Sequence, residues 1–182
     1  MTLNTRRKRS VVALAFTALI VLGVAWLAAA KETLKPSVVG GGRIFNPIPG
    51  ATIPSPSDFG FAVNEEGGTF VCSMAGPETG GFAGFQAMLV EGPVAARTLR
   101  VSGRHLSFAW RATIVLIPGL NGASQTVLNE IPYSVTARMG HSGTAALILS
   151  IPAFTQALGG DTGGIVRQGA IGVAGGDSND ER

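Results

Sequence analysis

The stretch Gly160-Asp161-Thr162-Gly163-Gly164 surrounds a hydroxyl side chain with the neighbours of a protease nucleophile, and Val38-Val39-Gly40-Gly41 stands far upstream of it. Together they pose the chemistry of a trypsin-like serine protease with threonine as nucleophile. That chemistry needs a histidine base and a separate buried aspartate, in the chain order His, Asp, nucleophile. The chain has two histidines, His105 and His141, and the one aspartate between His105 and Thr162 is Asp161, which belongs to the motif itself. The extra methyl of threonine also crowds the attacking oxygen. The stretch reads instead as a glycine-rich turn before the last strand. Gly140-His141-Ser142-Gly143-Thr144 has the start of a nucleophile elbow, but the final glycine is missing and no histidine follows Ser142. In that fold the acid and then the histidine come after the serine. A loop between strands is the expectation.

Metal chemistry needs convergent His, Cys or carboxylate ligands. Two distant histidines and the single Cys72 make no such spacing. Cys72 shares the apolar face of its strand with Phe70 and Met74, so a buried core thiol is expected. His105 falls on a polar face and reads as exposed. Paired carboxylates for glycoside hydrolysis would have to come from Asp58, Glu78, Glu91, Glu130 or Asp161, most of them in turns beside Gly or Pro. A calcium site at Asp161 or Glu65-Glu66 reduces to solvated turn carboxylates. No catalytic, cofactor-binding or metal-binding residue is assigned, no cofactor is expected, and the chain reads as not an enzyme.

The charge is uneven. Arg6, Arg7, Lys8 and Arg9 precede every acidic residue, whereas from Lys31 onward ten Lys and Arg face eleven Asp and Glu. The net +3 of the 182-residue chain therefore describes its first ten residues. The remainder offers no clustered Lys/Arg run for neutralising phosphates, so no nucleic-acid partner is expected. Val11 to Ala30 is an uncharged apolar run behind the basic end, and Ala28-Ala29-Ala30 supplies the small residues of a cleavage site before Lys31. A run of about 20 is also long enough to span a bilayer. Residues 1–30 are either a signal peptide or a signal anchor; in both cases the rest is exported, to the periplasm or beyond. An uncleaved Val11–Ala30 would make the membrane a partner. The hydrophobic pair of a twin-arginine signal is replaced by Arg9 and Ser10, and Cys72 lies too far from the cleavage point to carry a lipid.

Behind a linker at residues 31–36 the period becomes two, as in half-buried strands. Phe59, Phe61 and Val63 alternate with Gly60 and Ala62. Phe70, Cys72 and Met74 follow, then Phe85, Ala87 and Leu89, then Arg97, Leu99 and Val101. The longest run sets Leu106, Phe108, Trp110, Ala112, Ile114 and Leu116 on one face. Tyr133, Val135, Ala137 and Met139 continue it, Ala145–Ile151 is apolar on both faces, and Ile165–Val173 reads as the closing strand. Glu65-Glu66-Gly67-Gly68 and Ser102-Gly103-Arg104 are hairpin turns, and Pro118–Gly122 is a longer one. The prolines between Asn46 and Asp58 predict an extended surface loop, since proline interrupts helix and central strand alike. A short helix fits Phe154 to Leu158. The fold class is all-β: an antiparallel β-sandwich or closed β-barrel of about eight or nine strands, preceded by one N-terminal hydrophobic helix. The domain spans 37–173, with a polar tail at 174–182.

The order of these pieces resembles a known type of module. Gly40-Gly41-Gly42, Phe59-Gly60-Phe61, Gly68-Thr69-Phe70, Leu99-x-Val101-x-Gly103, Asn121-Gly122, Tyr133-x-Val135 and Gly163-Gly164-Ile165 occur in the sequence of the post-COAP type of small bacterial exported domain. The resemblance covers about residues 37–173. Where members carry an aspartate after the Tyr/Phe-x-Val strand, this chain has Ala137-Arg138-Met139-Gly140. The resemblance implies a glycine-rich all-β fold and an exported location, and no activity.

The functional expectation is an exported cell-envelope or extracellular β-module with a structural or binding role and an envelope-protein or small-molecule partner. Two alternatives stand beside it. One is a barrel holding a small apolar or sugar ligand, which an unfilled interior would support, with Trp110 and Tyr133 facing it. The other is a carboxylate-dependent hydrolase, which two carboxylates about 5–10 Å apart across one cleft would support. The loops Asn46–Asp58 and Gly76–Gly84 are the places for a partner, because loops carry function more often than the elements they join.

Overall fold

The computed structural model describes residues 37–47, 54–76, 84–119 and 124–174. These belong to one compact unit, Lys35–Arg182. The leader Val11–Ala30, the linker and the tail beyond Ala174 lie outside the described residues. No described helix is long and apolar enough to cross a membrane.

The strands are β1 (Ser37–Asn46), β2 (Ser55–Asn64), β3 (Gly67–Ala75), β4 (Phe85–Val94), β5 (Arg100–Ser102), β6 (His105–Pro118), β7 (Thr126–Arg138), β8 (Gly140–His141), β9 (Ala146–Ser150), β10 (Thr162–Ile165) and β11 (Gln168–Ala174). A 3₁₀ turn at Pro152–Phe154 runs into a one-turn helix α1, Thr155–Leu158. The strands form a single antiparallel sheet in the order β10-β9-β7-β6-β4-β3-β2-β1-β11-β8, with β5 on β6. The sheet curls into a half-barrel. The Val166 amide donates to the Ala145 carbonyl at 2.9 Å, extending the β9–β10 pairing, and the Arg167 amide donates to the Arg43 carbonyl at 2.8 Å, extending the β1–β11 pairing. β10 and β11 are thus one path that pairs first with β9 and then, past Val166 and Arg167, with β1.

Alternation drives the curl, since the side chains of successive strand residues point to opposite faces. On β3, Phe70, Cys72 and Met74 are buried while Thr69, Val71 and Ser73 are exposed. Five rings line up inside: Phe59–Phe61 at 6.3 Å between centroids, Phe61–Phe108 at 5.2 Å, Phe70–Phe108 at 5.9 Å and Phe70–Tyr133 at 5.4 Å. Burying a ring the size of Phe70 contributes about 1.5–3 kcal/mol. Gly40 leaves the room for this stack, because a Cβ there would sit 2.5 Å from the Phe61 ring.

Five expectations are corrected. β2 begins at Ser55, so Pro56 and Asp58 belong to a strand and not to a surface loop. The β2–β3 ladder starts at Ser57, so the amide that Pro56 lacks interrupts no bond to β3. Arg97 lies in a turn with φ 65° and its amide donates to the Glu65 carbonyl, which leaves only Arg100–Ser102 of the expected strand. Thr162-Gly163-Gly164-Ile165 is strand β10 and not a turn. Trp110 shares the inward register of Phe108 and Ala112, yet it is 50% exposed. Its cross-strand partner Tyr133 is buried and reaches across β6 to donate to the Pro93 carbonyl. The strand count rises to eleven because β5 and β8 are short and the closing strand is divided.

Candidate functional site

The outer face of β5, β6, β7 and β9 carries a groove of about 550 Å³. Register builds it. The turn Gly103-Arg104, with Gly103 at φ 57°, sets Ser102 opposite His105 and Arg100 opposite Ser107. β7 then sets Arg138 opposite His105 and Thr136 opposite Ser107. β9 adds Ala146 beside Arg138 and Ile148 beside Thr136. Two cross-strand rows result, Ser102-His105-Arg138-Ala146 and Arg100-Ser107-Thr136-Ile148. Directly opposite side chains in such rows are neighbours. Strand spacing and rise place the Cα atoms of Arg100 and Arg138 about 12 Å apart, at opposite sides of a floor of hydroxyls.

Both guanidinium groups are held by backbone. Arg138 Nε donates to the Thr144 carbonyl at 2.9 Å. Arg100 Nη1 donates to the carbonyls of Arg97 at 2.6 Å and Leu99 at 3.1 Å. Nearby, Arg104 donates through Nε and Nη2 to the Met139 carbonyl at 3.2 and 3.0 Å. Among the described residues, none of the three has a carboxylate in salt-bridge range; the ion pair there is Arg43–Asp58, at 2.7 Å, on β1 and β2. The groove is therefore cationic without a counter-charge, rimmed by hydroxyls and an imidazole.

The residues singled out in the sequence are dispersed. Thr162 is buried and its hydroxyl donates to the Leu149 carbonyl at 3.3 Å. His105 and His141 lie at the opposite end of the sheet, where β6 begins and β7 ends. Ser142 donates to the Gly169 carbonyl at 3.1 Å, and His141 Nδ1 lies 3.0 Å from the carbonyl of Ser142 rather than from a nucleophile. Asp58 is engaged by Arg43 through both carboxylate oxygens, at 2.7 and 2.8 Å, which lowers its pKa. Glu91 stands two strands and two register positions from Asp58, about 12 Å by strand geometry. Glu130 sits with φ 59° in a β7 bulge that turns both Leu128 and Ile131 toward the core. Asp161 precedes β10 at the far end, and Glu78 lies outside the described residues. The outer groove and the small cavity at the bases of the partner loops are lined by no carboxylate, and a third groove beside Arg43 is lined by Asp58 alone. Among the described residues, no three His, Cys, Asp or Glu side chains gather.

Cys72 is a buried thiol, as expected, and burial, aided by the charge of Asp58, pushes its pKa up to about 12. Tyr133 is buried against Phe70, and burial raises its pKa above the usual phenol value. Of the two partner loops, residues 48–53 and 77–83 lie outside the described residues. What remains at their bases is a small cavity of about 20 Å³ lined by Asn46, Ser55, Phe85 and Thr162 among others. Asn46 donates to Ser57 Oγ there, and its Oδ1 has no protein partner.

The arginine groove was not among the expected sites. Its residues come from four separate stretches: β5, β6 and β7 each carry two polar residues at alternate positions, and β9 adds the apolar Ala146 and Ile148. The signal was one turn: a two-residue link after Ser102 sets β5 and β6 in register, and only pairing with β7 brings Arg138 alongside.

Comparison with protein-family models, curated proteins and solved structures gave no match.

Proposed function

We propose that this protein is a non-enzymatic exported β-module of the cell envelope that binds through its outer surface, on a sheet closed into a barrel. The observation that carries this reading is the filled interior. The five-ring stack and the buried aliphatic residues leave no ligand-sized space among the described residues, whereas the outer face offers a groove of about 550 Å³. A barrel that stores a small ligand needs the reverse. The carboxylate hydrolase is also disfavoured, since Asp58 is tied to Arg43 and the other described carboxylates share no cleft. Closure is supported by the hydrogen bonds of Val166 and Arg167. Export is supported by the basic and apolar leader and by the resemblance to post-COAP domains. The chain enters the sheet at Ser37, and strand polarity puts that point at the same end as the turn Gly103-Arg104.

Expression in a bacterial host with intact-mass analysis and membrane fractionation tests this. A species beginning at Lys31 outside the inner membrane, or a full-length membrane-bound species with the domain accessible to external protease, supports export. Full-length protein soluble in the cytoplasm contradicts it.

A further inference from the structure

We infer that the groove between Arg100 and Arg138 is a binding site for a phosphoryl oxyanion, presented either by a soluble phosphate compound or by the headgroup of an anionic lipid. The inference deepens the outer-surface reading above and rests on it for the choice of face. Three observations carry it. The first is charge: two guanidinium groups and an imidazole line one groove, and no described carboxylate neutralises either guanidinium. The second is preorganisation. Backbone carbonyls already fix one nitrogen of each arginine, Arg138 by Nε and Arg100 by Nη1. Among the described residues the remaining N–H groups have no protein acceptor, and rigid donors bind with less loss of side-chain freedom. The third is the floor. Ser107 and Thr136 stand opposite each other between the arginines, and hydroxyls donate to phosphate oxygens at little desolvation cost. Both arginines line the groove, and the planar guanidinium fork is a recognition geometry that arginine supplies for phosphate and lysine does not.

The test uses the full-length protein in nanodiscs of zwitterionic lipid, melted with and without inorganic phosphate at constant ionic strength. Binding to the folded state raises Tm. The expected rise is at least about 3 °C at saturating phosphate for a domain of this size. Arg100→Gln with Arg138→Gln abolishes the rise, and Arg111→Gln, outside the groove, keeps it. Ser107→Val blocks the floor with both arginines in place, so it reads the site even where the double variant fails to fold. Nanodiscs containing phosphatidylglycerol separate the two sources. A higher Tm there that free phosphate does not increase assigns a lipid headgroup; a rise with free phosphate in zwitterionic discs assigns a soluble ligand. No rise in either, or a rise that survives in both the double variant and Ser107→Val, overturns the site. A cytoplasmic location with an intact phosphate response would overturn export and leave the groove standing.

Discussion

The phenol of Tyr133 on β7 donates to the carbonyl of Pro93 on β4 at 2.8 Å, spanning the inner side of β6 between them. One side chain thereby links three strands and closes the ring stack that fills the interior. Tyr133→Phe keeps the ring and leaves the Pro93 carbonyl without its donor. A loss of about 1–2 kcal/mol in urea unfolding is expected. Tyr133 is the chain's one tyrosine, so its ionisation can be followed by phenolate absorbance. Its folded pKa is raised by burial, so the folded protein keeps a proton that the unfolded chain releases near pH 10. This contribution to stability is full below about pH 10 and is lost as pH rises beyond it. Native protein that shows phenolate at the pH of free tyrosine would contradict the buried position.

Cys72 gives a second internal reporter. Its thiol is buried, with a pKa near 12, and it is the only cysteine. A thiol-specific disulfide reagent at pH 8 is expected to leave native protein unlabelled and to react fully in denaturant, because the thiolate is the nucleophile. An unfolded thiol ionises near pH 8.5. The contribution of Cys72 to stability is therefore complete below that value and declines as pH climbs toward 12. Fast native labelling would place Cys72 outside the core.

Gly163 of the protease-like stretch has a packing reason rather than a catalytic one. A Cβ on Gly163 would lie 2.2 Å from the Leu147 carbonyl oxygen on the paired strand, whereas one on Gly172 meets nothing within 4 Å. Gly163→Ala is expected to destabilise by more than about 2 kcal/mol and Gly172→Ala by less than about 0.5 kcal/mol. Equal midpoints for the two in chemical denaturation would refute the β9–β10 pairing.

Much of this architecture was legible from alternation alone. Phe59-Phe61-Val63 and Phe70-Cys72-Met74 were placed on buried faces because a period of two needs no long-range information. The failures share a physical cause, which is that a partner strand decides the outcome. Pro56 was read as loop because it breaks ladders, yet β3 makes no bond at its position. Trp110 was counted with the core by parity, yet it is exposed while Tyr133 opposite it on the next strand is buried. The arginines of the groove are scattered along the chain, and the net charge beyond the leader hid them. Only the β5–β6–β7 register gathers them, and pairing partners cannot be read from composition.

The Arg43–Asp58 pair is a surface ion pair, with both side chains substantially exposed. Solvent screens such pairs, and Asp58→Asn is expected to leave the urea midpoint unchanged within error. The guanidinium of Arg43 lowers the Asp58 pKa, so its small contribution is present above the unfolded carboxylate value and is lost as pH falls through the folded one. A large acid-side change in stability between wild type and Asp58→Asn would show the pair to be structural.

The most direct measurement is an amide-resolved NMR titration of the protein with inorganic phosphate. Shifts confined to residues 100–107, 136–138 and 146–148, with the amides around Phe61, Phe70 and Tyr133 unmoved, are expected if the curled sheet packs its inner face and binds on its outer one. Shifts centred on the interior residues, or none across the groove, would contradict it.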